Sequence, residues 1–230
     1  MVWESLDLGD LAPGDVRVRV GASGINFAET RMRAGDYSGQ ELPFVMGMEV
    51  AGTIESVGAG VTGFSEGDRV FGRVRGAHAE VVDCDPDHLM LLPDNLSFAQ
   101  GAAIPVGWLT AWHALYTVGR MKAGDRILVE AVGGSVGSAA LALAKQAGCW
   151  ALGTASRDDK LAHASSLGCD AVVNYTRDSV SEQVNALTDG QGMDIGLMTI
   201  GDATADELID SMGMDGRVVM FGSTGGRDIT

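Results

Sequence analysis

The sequence predicts an α/β protein, with a β-rich first domain followed by a doubly wound parallel sheet. Three observations carry that expectation. Up to about residue 105, short valine-rich runs alternate with glycine turns. Beyond it, strand-like and helix-like segments alternate regularly, which implies parallel strands with helices on both faces. At the first strand-to-helix junction of that second part stands a glycine-rich turn, Val129-Glu-Ala-Val-Gly-Gly-Ser-Val-Gly137.

Residues 15–20 set Val16, Val18 and Val20 between charged neighbours, the period of a half-exposed strand. Further strands are expected at 49–57, 68–71 and 79–82, divided by the turn-rich Ser56-Val-Gly-Ala-Gly-Val-Thr-Gly63 and by Gly67-Asp68. Together they suggest a compact antiparallel or barrel-like unit. After Pro93 one helical stretch, Ser97 to about Gly119, leads into the second unit. There, strands are expected at 126–131, 150–154, 171–174, 194–199 and 217–221, with helices at 136–147, 158–167, 180–187 and 203–212.

Composition excludes several classes of function. At 230 residues with 46% hydrophobic and 20% charged residues, the chain can bury a full core and is not disordered. Its net charge of −15 argues against generic nucleic-acid binding and against docking on anionic membranes, leaving room only for a local basic pocket. No apolar run is long enough to span a bilayer, and Met1-Val-Trp-Glu-Ser-Leu-Asp7 has no secretory pattern, so a cytoplasmic location is expected. Cys84, Cys149 and Cys169 are odd in number and lack metal-type spacing, so reduced, structural thiols are expected.

The glycine turn follows a strand, opens a helix and begins a βαβ unit, the context a dinucleotide pyrophosphate site requires. A strict G-x-G-x-x-G register would need glycine at Val132; the chain instead offers Ala131, Gly134 and Gly137. Gly134, Ser135, Val136 and Gly137 become the candidate phosphate contacts, because glycines permit close approach and a helix N-terminus presents free N–H groups. The alternative is a turn made only for strand–helix packing. The next strand ends Gly153-Thr154-Ala155-Ser156-Arg157-Asp158-Asp159-Lys160. An NAD site normally places a carboxylate about twenty residues past the glycines, near Ala155 here. With no acid there, Ser156, Arg157 and Lys160 favour the 2′-phosphate of NADPH, and Thr154 at the strand end joins them as a candidate cofactor contact. Alternatively, Arg157 and Lys160 only solvate the first turn of a helix, where Asp158 and Asp159 would complement its dipole.

Several further stretches carry a family resemblance. Gly24-Ile-Asn-Phe-Ala-Glu29, Arg33-Ala-Gly-Asp-Tyr37, Gly47-Met-Glu-Val-Ala-Gly52, Gly67-Asp-Arg-Val70 and Ala102-Ala-Ile-Pro105 stand in order. Leu109-Thr110-Ala111, Gly124-Asp125, the glycine turn, Gly168-Cys-Asp-Ala-Val-Val-Asn-Tyr175 and Gly216-Arg-Val-Val-Met-Phe-Gly222 follow. The series resembles the medium-chain dehydrogenase/reductase superfamily, and within it the NADPH:quinone oxidoreductases and the enoyl reductases of polyketide synthases. The resemblance implies a GroES-like catalytic domain over 1–105 and a Rossmann NADPH-binding domain over 106–230. It also implies chemistry without a metal. Zinc-dependent relatives have a Cys ligand near the position of Asn26 and Gly-His-Glu where this chain has Gly47-Met48-Glu49, and its scattered His and Cys supply no ligand set.

The reaction so implied is hydride transfer from NADPH to a quinone, an enone or an enoyl thioester. Asn26 and Tyr37 match residues that border the nicotinamide and the substrate, where they could hydrogen-bond a developing oxyanion. They could equally set a turn and pack at a domain edge. Thr110, Phe221 and Gly222 match positions near the nicotinamide, and Tyr175 one near the adenosine phosphate, with strand-end packing as its alternative. Departures from the pattern are Arg31, where an aromatic residue is frequent, and the strand end Met198-Thr-Ile-Gly-Asp202. The chain also reads as shortened at both ends, lacking a first β-strand and a sixth Rossmann strand. In relatives that strand forms a dimer edge, so a homodimer is expected only if a longer protein carries it. Two other functions stay open: an enoyl-thioester reductase domain of a polyketide synthase, and a non-catalytic NADPH-binding protein.

Overall fold

The computed structural model describes residues 2–37 and 42–225. It divides into two compact units, Met1–Val106 and Gly107–Thr230. The first is built on a five-stranded antiparallel sheet of order β4-β1-β2-β3-β5. Its strands are β1 (Val16–Ser23), β2 (Val50–Val57), β3 (Arg69–Gly72), β4 (Val81–Cys84) and β5 (Leu89–Leu91). The alternation in β1 is realised as expected. Val16 and Val18 are fully buried with Val50, Ile54 and Val70, while Arg17 turns outward and grips Asp83 on β4 at 2.7 and 2.8 Å.

Two elements of this unit go beyond the strand-and-turn pattern. Helix α1 (Phe27–Ala34) buries only Glu29, so it carries no apolar stripe for a periodicity argument to find. Strand β5 is three residues long. The single helix expected over 97–119 is instead three pieces: α2 (Phe98–Ala102), α3 (Pro105–Trp112) and a π-helical turn, His113–Val118. Pro105 explains the break, since it has no N–H to continue α2 and its fixed φ suits the first position of a new helix.

The second unit holds a five-stranded parallel sheet of order β10-β9-β6-β7-β8. The elements run β6 (Arg126–Val129), α4 (Ser135–Gln146), β7 (Trp150–Ala155), α5 (Asp158–Ser166), β8 (Ala171–Asn174) and α6 (Val180–Leu187). Then come β9 (Met193–Met198), α7 (Ala205–Asp210) and β10 (Met212–Met220). Strand β6 shows why this half reads as continuous apolar runs. Ile127 and Val129 pack with Ala140 and Leu141 of α4 and Leu161 of α5, while Leu128 faces Val180, Val184 and Leu208 on the opposite side. The helix expected at 203–212 contracts to a 3₁₀ turn, Asp202–Thr204, plus α7, because the last strand begins earlier than expected. The order reverses between β6 and β9, and such a switch point opens a crevice at the carboxyl ends of the strands.

Among the described residues, no helix is long and apolar enough to cross a membrane. The cysteines are free thiols. Burial, with Asp15, Asp83 and Asp85 nearby, pushes the Cys84 thiol up to about 12. At pH 8 the native protein should therefore leave Cys84 unmodified by iodoacetamide while guanidinium-unfolded protein is alkylated there; peptide mass mapping checks this.

Candidate functional site

The glycine turn is held by backbone contacts. Ala131 takes φ 49°, the left-handed region, directly after β6. Its carbonyl accepts the Gly134 N–H at 2.8 Å, and the Val132 N–H donates to the Thr154 carbonyl at 3.0 Å. Gly134 is the N-cap of α4 in extended geometry, with no side chain capping the helix. The first-turn N–H groups of Ser135, Val136 and Gly137 thus remain available to an anion. Gly137 is required for packing: a Cβ there would collide with the Ala131 carbonyl oxygen and stand 2.8 Å from Val132 Cα. At Gly133 a Cβ would lie 2.7 Å from Lys160 Cβ, so the Lys160 stem rests on the turn. Gly107 of α3 meets the Ser135 hydroxyl in the same way, and Thr110 follows one helical turn later.

Glu130 fills the switch point. It is 3% exposed, and its carboxylate accepts the N–H groups of Thr199 at 2.8 Å and Ile200 at 2.9 Å and the Thr204 hydroxyl at 2.6 Å. Beside it lies a cavity of about 80 Å³ lined by Glu130, Thr154, Tyr175, Asp178, Thr204 and Glu207. The Ser181 backbone N–H, at 2.8 Å, holds the Glu207 carboxyl below its usual range despite partial burial. After β10, Phe221 donates its N–H to the Met198 carbonyl, and a Cβ on Gly222 would stand 2.6 Å from Thr199 Oγ1. The glycine turn, Thr154, Ser156, Lys160, Tyr175, Phe221 and Gly222 therefore gather at the carboxyl edge of one sheet.

The charges after β7 are more engaged than their spacing suggests. Arg157 forms a two-pronged pair with Asp159, at 2.9 and 2.7 Å, on an exposed surface. This pairing holds the Asp159 carboxyl below the usual carboxylate range. Asp158 is lowered too, first by Asn174 at 3.0 Å and then by Arg177 at 2.7 Å. Both aspartates stand in the first turn of α5, as a dipole argument expects, but each also has an arginine partner. Arg177 is a cation the sequence reasoning missed, because nothing in the spacing links it to β7.

In the first unit, Asn26 precedes α1 and donates its Nδ2 to Glu49 Oε1 at 2.8 Å and to Glu29 Oε2 at 3.3 Å. Glu29 Oε2 also accepts the Asn26 backbone N–H at 2.7 Å. Glu49 Oε2 accepts the Val106 N–H at 2.8 Å. Both acids are buried, at 1% and 3% exposure. Burial, and then the Glu29 charge, raise the Glu49 carboxyl above its ordinary value against the opposing bonds from Val106 and Asn26. Glu29 Oε1 has no hydrogen-bond partner and lies 3.5 Å from His78 Nε2. Tyr37 is 43% exposed, and among the described residues no hydrogen bond joins it to Asn26. Nothing in the spacing of Asn26, Glu29 and Glu49 points to the pairing of one amide with two buried acids; in the sequence Glu49 stands only in the Gly47-Met48-Glu49 stretch and at the start of the strand expected at 49–57. Among the described residues, no three His, Cys, Asp or Glu side chains cluster to hold a metal ion.

Residues 12–103 match the family model described as alcohol dehydrogenase GroES-like domain, and residues 135–230 the model described as zinc-binding dehydrogenase. The chain is 38% identical over 227 residues to the pikromycin polyketide synthase component PikAII of Streptomyces venezuelae, covering 98% of this chain but 6% of that protein. It is 32% identical to the 2-haloacrylate reductase of a Burkholderia species, covering 98% of this chain and 70% of the reductase. The crystal structure of Escherichia coli quinone oxidoreductase complexed with NADPH superposes with a TM-score of 0.93 at 30% identity, covering 99% of this chain and 70% of that one.

Gly137→Ala should lower stability by about 1–3 kcal/mol, since the added methyl meets backbone rather than a side chain that could yield. Urea denaturation checks this, and the same variant should lose dinucleotide affinity in a fluorescence titration.

Proposed function

Given that this chain belongs to the medium-chain dehydrogenase/reductase superfamily, in its zinc-independent quinone oxidoreductase and enoyl reductase branch, we propose that it catalyses NADPH-dependent reduction of a quinone or an activated C=C bond. One observation carries the nucleotide part. An uncapped helix N-terminus stands behind a turn whose Gly133 and Gly137 have no space for a Cβ, with a lysine stem lying across it. The residues present therefore fit a dinucleotide. Bound there, NADPH would supply the hydride.

The chain's own residues have the following proposed tasks. The N–H groups of Ser135, Val136 and Gly137, with Gly134, take the pyrophosphate. Lys160, Ser156 and Arg157 take the 2′-phosphate; Arg157 has to leave Asp159 to do so, and an exposed pair of this kind costs little to open. Thr154 and Tyr175 line the adenosine side, and Thr110, Phe221 and Gly222 the nicotinamide side. Asn26 donates to the acceptor oxygen or to the nicotinamide carboxamide. It does so by exchanging its longer bond, the one to Glu29. Tyr37 hydrogen-bonds the oxygen that becomes electron-rich.

The identity to a polyketide synthase component favours a second reading, an enoyl-thioester reductase domain. Steady-state NADPH oxidation with a quinone and with a crotonyl-type thioester separates the two. Turnover on the thioester with little on the quinone supports the second; binding without turnover on either replaces both with a non-catalytic NADPH protein.

Arg157→Glu should weaken NADPH binding far more than NADH binding, and equal losses would remove the 2′-phosphate assignment. Tyr37→Phe should lower kcat about 10²-fold or more while the cofactor Kd changes little; unchanged kinetics would remove Tyr37 from the mechanism.

A further inference from the structure

Two buried carboxylates contact one asparagine, and they do so unequally. Glu49 reaches Asn26 Nδ2 at 2.8 Å and the Val106 N–H at 2.8 Å, so each of its oxygens has a donor. It has little freedom to turn away, because it is 3% exposed. Its Oε1 lies where a Cβ on Gly24 would be, so only glycine at that position leaves it space. Glu29, by contrast, meets the same Nδ2 at 3.3 Å and keeps its short bond, 2.7 Å, for the Asn26 backbone. The second Glu29 oxygen has no hydrogen bond and faces His78 Nε2 at 3.5 Å, while that nitrogen is 3.0 Å from the Gly24 carbonyl.

An amide NH₂ has two donors in one plane, so fixing the direction of one fixes the other. We propose that Glu49 is a positioning residue of the reductase site: it anchors one N–H of Asn26, which aims the other for exchange from Glu29 onto a substrate or nicotinamide oxygen. This rests on the role proposed above for Asn26. The anchor has to be ionised. Once Glu49 takes a proton, the oxygen that carries it becomes a donor and a poorer acceptor, so either the Asn26 or the Val106 bond is weakened. The titratable groups that face the pair are Glu29 on α1 and His78 before β4. Because burial and then the Glu29 charge raise the Glu49 carboxyl, the anchored form fails, as pH falls, sooner than for an ordinary glutamate.

The test uses the full chain labelled with ¹⁵N-asparagine, with the Asn26 signals assigned by their loss in Asn26→Ala. The Asn26 side-chain amide should show two well-separated proton shifts that titrate with a carboxylate above the ordinary glutamate range. That titration should persist in His78→Gln and vanish in Glu49→Gln. Should Glu49→Gln fail to fold by circular dichroism, Glu49→Asp serves instead: it keeps the charge, withdraws the carboxylate by one methylene, and should move the Asn26 amide shifts. In kinetics, Glu49→Gln and Asn26→Ala should each lower kcat about 10–100-fold, and the double variant no further than Asn26→Ala alone. Asn26 shifts untouched by either Glu49 variant, or losses that multiply, overturn the proposal. Wild-type turnover in Asn26→Ala would instead retire the catalytic role of Asn26, leaving the spectra to judge the anchor by themselves.

Discussion

The contact on which the second unit depends is the approach of α4 to the end of β6. Gly137 lies against the Ala131 carbonyl with no space for a methyl group, and Ala131 accepts a left-handed backbone to make the turn. Only that approach lets the first turn of α4 stand over the strand ends with its N–H groups uncapped. Gly153 contributes from the neighbouring strand, since a Cβ there would stand 2.7 Å from Val132 Cγ1. The uncapped helix N-terminus is thus a by-product of tight helix–sheet packing, made from backbone and needing few particular side chains.

Buried carboxylates organise what surrounds it. Glu130 takes three donors from the chain just beyond β9 and closes the floor of the switch point. Glu49 does comparable work in the first unit, holding Asn26 and the Val106 N–H. A buried acid with its full set of donors orders several segments at once, whereas one with an orphaned oxygen, such as Glu29, stays open to rearrangement. In the first unit the rigid acid and the adjustable one therefore sit on either side of the same amide.

The exposed charges after β7 behave differently. Arg157 with Asp159 and Arg177 with Asp158 are solvent-facing pairs, and their attraction is weak and screened. A doubly charged phosphate competes well with a single carboxylate for a guanidinium. The aspartates there thus lower the local positive potential without closing the site, a balance that composition alone would misjudge.

Local patterns by themselves determined much of this protein. The alternation of Val16 and Val18, the double-sided burial of β6, and the strand–glycine–helix junction are short-range signals, because a strand or helix announces which face it buries. Helix α1 was illegible for the same reason, as its one buried side chain is a glutamate held by polar partners. The tertiary structure alone decided which distant residues meet. Glu49 is 23 residues from Asn26 and 57 from Val106, and Glu130 is 69 or more from its N–H donors. A hydrogen-bond partner at that separation leaves no periodicity in the chain; it exists only once the sheet has brought the strand ends together.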